Sequence, residues 1–406
     1  MTNYLIKNIR IIDADQDLIG DVFIENGKIS LKNSETGIFN EINGTGKILM
    51  PGFFDPHVHF RQPGLEHKEN FCTGSKAAAS SGVTSFFDMP NTMPATFTTE
   101  ILEQKRQLAR KNSLVNFGLY FGAGPNNIEE IKKAKNIPGT KLYLNATTGN
   151  LKMDDETSWR KVFQVGKKVS LHAEGETFFR AVEIWEEEGY PCEIHLCHAS
   201  LASEIELVRE MKKKPEAKEK ITVEVCPHHL FLTDKEREKY GAICCMKPDL
   251  ATEADLVAMW EGVEDGTIDF FATDHAPHTW EEKEKGALGI PGVETFLPLL
   301  FTEFVKRDWN LQKLAKMTSK NVVEKFHISD KKGQILNSFD ADLVLIDPTY
   351  KGQINPEKFF SKSKWSPFGG FDILCRVEKT FVGGELVFSE GEIDGGVRGK
   401  ELYFSL

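Results

Sequence analysis

The sequence predicts an α/β fold: a (β/α)₈ TIM barrel with a small β-sandwich domain formed by both chain ends. Three observations carry this. The middle of the chain alternates strand-like apolar runs with helical ones, which implies a parallel sheet. Eight such runs can be counted, and most end in polar, chemically capable residues, the arrangement by which such a barrel gathers its active site at one face. The two ends carry short β-type runs with turn residues and little helix, unlike the middle. A doubly wound open sheet is the alternative, but it is not expected to place a histidine or carboxylate after so many strands.

In chain order, residues 4–12 and 21–29 read as β runs, with Asn26-Gly27 as a turn signal. The barrel strands end near His57-Val58-His59, residues 88–91, 121–124 and 141–145, His172, His198, His228 and Asp274. Residues 100–111, 202–213, 253–264 and 293–307 read as helices. In the second of these, Ile205, Val208 and Met211 recur at a spacing of three with charges between them. Toward the end, 341–346 reads as a strand, and 380–382 and 385–388 flank Gly383-Gly384 as a hairpin. The expected division is 1–50 plus 335–406 for the small β-sandwich domain and 51–334 for the barrel.

Composition narrows the function. Fifty Lys and Arg against 61 Asp and Glu give a net charge of −11. That argues against nucleic-acid or anionic-membrane binding, but not against a small anionic substrate held by a few local cations. No run approaches the roughly 20 apolar residues that span a bilayer. Asp13, Asp15 and Asp17 interrupt any signal-peptide core. Seven cysteines without a CxxC pair fit thiols in a reducing cytosol, so a cytoplasmic location is expected.

The chemistry concentrates at the strand ends. In a strand, residues i and i+2 point the same way, so His57 and His59 can reach one metal ion. An HxH pair alone is weak evidence. His172 in LHAE, His198 in HLCHAS and Asp274 in ATDHAPH also follow apolar runs, and imidazole with carboxylate is a ligand set suited to zinc. Most of the eleven histidines fall at predicted strand ends. Arg61 lies two residues past His59, and its planar fork suits a carboxylate.

Eight ordered blocks make the reading specific: MPGFFDPHVHFRQPG (50–64), DMPNTMP (88–94), KLYLN (141–145), HAE (172–174), HLCHAS (195–200), VCPHHLFLT (225–233), DHAPHTWEEK (274–283) and PGVETFLPLL (291–300). Together they resemble the dihydroorotases of the amidohydrolase superfamily, in their long form. The resemblance implies a zinc-dependent enzyme of pyrimidine (UMP) biosynthesis that interconverts L-dihydroorotate and N-carbamoyl-L-aspartate. It implies two zinc ions: His57 and His59 on one, His172 and His198 on the other, and N-carboxylated Lys141 bridging them. Asp274 is implied as a ligand of the first ion and as the catalytic base. A lysine can take up carbon dioxide only as a neutral amine, a form favoured by burial beside cations. His195, three residues before His198, is the rival for that ligand position and lacks the match.

For the substrate, the resemblance implies Arg61, Asn91 and His278 on the carboxylate, backbone groups of Leu288 and Gly289 on the ring, and Thr147 in a lid loop. Ala287 stands where relatives often have proline, and Lys247 stands where arginine is expected. Cys197 and Glu224 could hold an extra zinc, but a buried thiol and a supporting carboxylate are the preferred reading. The expected partner is a small-molecule substrate, with a homodimer as the assembly to test and no nucleic acid or membrane. The rivals are a dihydropyrimidinase (hydantoinase) or allantoinase on the same metals, and a metal-free non-catalytic relative.

Overall fold

The computed structural model describes residues 2–32, 38–146 and 151–405. Its centre is the expected barrel. The strands Phe53–Val58, Val83–Asp88 and Asn116–Leu119 pair in parallel. After Tyr120 the third strand resumes as Phe121–Gly122. Thr140–Tyr143, Lys168–His172, Glu193–Leu196, Ile221–Val225 and Phe270–Phe271 then follow, each parallel to the one before. The ring closes where the chain beyond the last strand meets the first: Val58 bridges His275, and the His59 N–H donates to the His275 carbonyl at 2.8 Å.

The strands are buried almost throughout because the barrel interior and the surrounding helices cover both faces. Helices follow their signals. Thr98 accepts from the Ile101 N–H to start Thr99–Asn112, and Thr252 accepts from the Asp255 N–H to start Glu253–Asp265. Ala202–Met211 buries Ile205, Val208 and Met211, as their spacing requires. The run 293–307 divides: a 3₁₀ turn, Val293–Thr295, precedes the α-helix Phe296–Lys306. Pro298 sits in that helix's first turn, where a missing N–H is not needed.

Two expectations change. The seventh strand stops at Val225, and His228 lies on the short helix Pro227–Phe231, because Pro227 cannot donate to a sheet but suits a first helical turn. The run 21–29 is two strands, Asp17–Glu25 and Lys28–Ser30. Between them Asn26 and Gly27 both take positive φ (51° and 79°), the conformation of a tight hairpin turn.

Both chain ends build one nine-stranded sheet. Ile48–Pro51 pairs with Tyr4–Ile12 on one side and with Leu343–Asp347 on the other. Alternation divides its side chains: Leu49, Leu343 and Leu345 join the sheet's own core with Ile6, Ile24 and Phe381, whereas Ile48, Met50, Val344 and Ile346 pack into the barrel's core. The chain passes from sheet to barrel at Gly52, where a Cβ would stand 2.2 Å from the Thr84 side chain. All seven cysteines are free, as expected. Among the described residues no helix is long and apolar enough to cross a membrane.

A buried ion pair braces the barrel wall. Lys105 and Asp88 are both fully buried, with Nζ 2.6 Å from Oδ2. Lys105 also donates to the Met89 carbonyl at 2.7 Å, and Asp88 Oδ1 accepts from the Phe60 N–H at 2.6 Å. The pair thus holds the turn between His59 and Arg61. Lys105→Met would leave Asp88 buried without its cation, at a cost of about 3–5 kcal/mol. A chemical-denaturation midpoint well below wild type is the expected result, and an unchanged midpoint would show the pair to be dispensable.

Candidate active site

Barrel closure sets the first strand's histidines beside the last strand's carboxylate. His59 Nε2 lies 3.0 Å from Asp274 Oδ1, and His57 Nε2 lies 3.4 Å from the same oxygen. Ligand atoms of these three residues fall within 4.8 Å of one another. Each histidine has an orienting partner on its other nitrogen: His57 Nδ1 meets Glu224 Oε1 at 2.5 Å, and His59 Nδ1 meets Asn91 Oδ1 at 2.5 Å. With Nδ1 donating, a neutral ring at either position directs its Nε2 lone pair toward Asp274.

The fifth and sixth strands bring a second pair. His172 Nδ1 and His198 Nε2 stand 2.8 Å apart, and the His57 and His198 rings are 5.3 Å apart, so the two pairs are neighbours. His198 Nδ1 has no hydrogen-bond partner among the described residues. Lys141 is fully buried on the fourth strand, with Nζ 2.8 Å from Cys197 Sγ. His195 is turned elsewhere, toward Thr222 Oγ1 (3.1 Å) and Glu224 Oε2 (3.0 Å).

Electrostatics give this cluster its character. Burial pulls His59 down to about 3, lowers His172 and holds His198 well below the usual imidazole range, so these rings are neutral. Burial opposes ionisation of Asp274, yet His57, His59 and His198 outweigh it and keep the carboxyl well below its usual range. At His57, burial and Lys141 push down, but Asp274 and Glu224 prevail and raise it to about 10. The carboxylates therefore call for positive charge at this place. Neutral imidazoles, buried carboxylates and an unpartnered ring nitrogen form a donor set that fits a divalent metal.

His57, Cys197 and Glu224 form a second such group within 4.8 Å. Glu224 already accepts from His57 and the His198 N–H (3.2 Å) on one oxygen and meets His195 on the other. That geometry suits a supporting carboxylate, the reading preferred from sequence.

Above the cluster lies a cavity lined by His57, His59, Arg61, Asn91, Tyr143, His172, His198, Lys247, Asp274, Ala276, Leu288 and Gly289. Arg61 is 1% exposed. Its Nε donates to the Pro277 carbonyl at 3.2 Å, its Nη1 has no partner, and no carboxylate pairs with it among the described residues. His278 stands behind Arg61 rather than in this cavity. Its Nε2 is 3.0 Å from the Leu288 carbonyl and 3.2 Å from Arg61 Nη2, and its Nδ1 is 3.3 Å from Lys68 Nζ. Burial, Arg61 and Lys68 draw it down to about 3, so the ring is neutral. Such a ring donates to Leu288 and accepts from Lys68. Lys247 lies 2.9 Å from Asp249 and 3.5 Å from Glu174. Thr147 lies outside the described residues. Tyr143 is a cavity residue that its motif alone does not single out; its signal is the i+2 spacing from Lys141 on one strand face.

Arg61, His198 and Asp274 all take positive φ (64°, 40° and 46°). Non-glycine residues adopt this conformation where the surrounding structure imposes it, commonly at functional sites.

Comparison with known proteins agrees with this geometry. The amidohydrolase family profile matches residues 48–387. A dihydroorotase of Methanosarcina mazei is 33% identical over 99% of this chain and 98% of its own, and one of Listeria welshimeri is 34% identical over 96% and 99%. Among solved structures, the L-hydantoinase (dihydropyrimidinase) of Arthrobacter aurescens superposes with a TM-score of 0.92 at 26% identity, covering 99% of this chain and 100% of its own. The dihydropyrimidinase of Brevibacillus agri gives 0.90 at 24%, covering 100% and 99%. The chain belongs to the amidohydrolase family. It is a hydrolase acting on cyclic amides.

If the donor set holds metal, ions that bind the folded state alone must stabilise it, by about 2.7 kcal/mol at a hundredfold excess over Kd. Chelator-stripped protein should therefore melt at a higher temperature once zinc is restored. An unmoved melting curve would show that the cluster binds no zinc.

Proposed function

We propose that the chain is a dihydroorotase, catalysing the reversible hydrolysis of L-dihydroorotate to N-carbamoyl-L-aspartate in de novo pyrimidine (UMP) biosynthesis. The observation that carries this is Arg61, a buried guanidinium beside the histidine cluster whose Nη1 has no hydrogen-bond partner, and which pairs with no carboxylate, among the described residues. Burying a charge is costly unless it is paired. Burial brings Arg61 down to about 10, which still leaves it charged at neutral pH. A substrate that brings its own carboxylate supplies the missing partner. Dihydroorotate carries one on its ring, whereas dihydrouracil does not.

In this reading His57, His59 and Asp274 would hold one zinc ion, His172 and His198 would hold a second, and N-carboxylated Lys141 would be a ligand to both. Bound zinc would supply Lewis acidity toward the ring carbonyl and toward water. Asp274 takes the proton of the attacking water and gives it to the departing ring nitrogen; in closure it works in reverse. Arg61 holds the carboxylate. Asn91 fixes His59 through Oδ1 and presents its amide to the cavity wall, His278 backs the guanidinium, and Leu288 and Gly289 border the ring. Thr147 is assigned to the lid.

Two results test this. Wild type should use dihydroorotate far better than dihydrouracil, hydantoin or allantoin. Arg61→Met should lower kcat/KM for dihydroorotate roughly tenfold to over a hundredfold, the value of a charge-assisted hydrogen bond, while keeping its metal and sparing neutral rings. Lysine there should rescue only in part, since a point charge lacks the bidentate fork. Preference for a neutral ring would instead make the chain a hydantoinase-type or allantoinase-type enzyme. Lys141→Ala should lose activity together with at least one metal ion per chain. Two retained ions with normal turnover would remove Lys141 from the bridge.

A further inference from the structure

We infer that Tyr143 is a specificity-determining residue: its phenol O–H donates to the same substrate carboxylate that Arg61 holds. This rests on the dihydroorotase reading and adds to it a donor outside the histidine, arginine and asparagine set.

The placement follows from register. Tyr143 pairs with His172 across the parallel strands while Lys141 pairs with Ser170, so Tyr143 lies one step nearer the barrel mouth on the face that carries Lys141. Its ring packs against His172 with centroids 5.8 Å apart, and Lys141 Nζ lies 5.6 Å from its centroid. Tyr143 is 1% exposed and lines the cavity, yet its hydroxyl has no hydrogen-bond partner among the described residues.

A buried tyrosine hydroxyl normally finds a partner, and leaving one unmade is costly. The cavity holds a second unsatisfied donor, Arg61 Nη1. The two groups act on one another electrostatically across the cavity. A tyrosine phenol keeps its proton at neutral pH and acts as a donor toward an anion. Two donors without acceptors in one small space require a ligand with several acceptors. A carboxylate brings two oxygens and no donor of its own. A neutral cyclic amide ring offers only its carbonyls, one of which the reaction itself engages.

The test uses metal-loaded Tyr143→Phe, which removes one oxygen and keeps the ring on His172. Retained metal content and an unchanged melting temperature establish an intact site. Efficiency with dihydroorotate should then fall roughly tenfold or more, chiefly through KM, while dihydrouracil turnover changes by less than about twofold. In binding experiments that need no turnover, affinity for orotate, a planar pyrimidine carboxylate, should fall by a similar factor while affinity for uracil stays level. An equal loss of kcat on both substrates would place the hydroxyl at the reacting carbonyl and overturn the inference, as would unchanged kinetics. If wild type itself showed no preference for dihydroorotate or orotate, the proposed function would fall and this inference with it. A wild type with that preference and an unaffected variant would reject the Tyr143 assignment alone.

Discussion

The seam between the first and last barrel strands is the constraint on which the rest depends. Asp55, fully buried, accepts from the Thr273 N–H (3.0 Å) and its hydroxyl (2.5 Å), and the His59 N–H bonds the His275 carbonyl further along the two strand ends. Burial outweighs these bonds and raises the Asp55 carboxyl to about 7, a sign of how dry the seam is. Residues 215 positions apart in sequence are thereby fixed within 3.0 Å, His59 against Asp274. The entropic cost of closing so long a span grows only slowly with its length. It is met by the whole barrel's burial, not by the site, which can then tolerate crowded charges and left-handed backbone.

That division explains what the sequence could and could not disclose. Strand ends were legible because chemically capable residues follow apolar runs at His172, His198 and Asp274, and the helix expected at 202–213 followed from the spacing of Ile205, Val208 and Met211, though it ends at Met211. His228 misleads because it closely follows an apolar run, yet Pro227 had already ended the strand. The ligand pairing of His57 with Asp274 is not periodic information at all; it exists only once the ring closes. The backbone twists at Arg61, His198 and Asp274 are likewise imposed by their surroundings, since positive φ is costly for any residue with a Cβ. Burial of Lys105 against Asp88 hides in a helix whose charged residues otherwise read as solvent-facing.

Orienting contacts around the cluster form a layer of their own. Glu224 on His57 and Asn91 on His59 settle which ring nitrogen faces the centre, and Asp88 with Lys105 fixes the turn that carries Arg61. These partners come from the seventh and second strand ends and from a helix outside the barrel. The site is thus braced twice between the consecutive first and second strands and once, through Glu224, between the first strand and the seventh. Loss of any one brace is felt as a misdirected lone pair or guanidinium, not as a missing ligand.

Fold and metal chemistry do not separate dihydroorotases from hydantoinases: a hydantoinase superposes on this chain with a TM-score of 0.92, and function has to be argued from the site. What distinguishes the substrates is one carboxylate on an otherwise similar ring. In the proposed function the cluster of imidazoles and Asp274 engages the ring amide, which both kinds of substrate carry. On that reading discrimination comes from two groups beside the cluster that have no acceptor among the described residues, the buried Arg61 Nη1 and the Tyr143 hydroxyl. A neutral ring brings no anion to the guanidinium and, beyond the carbonyl that reacts, fewer acceptors than the two donors can use. Under the proposed function the substrate carboxylate supplies the partner that this buried charge lacks, so its binding gains what a neutral ring cannot offer.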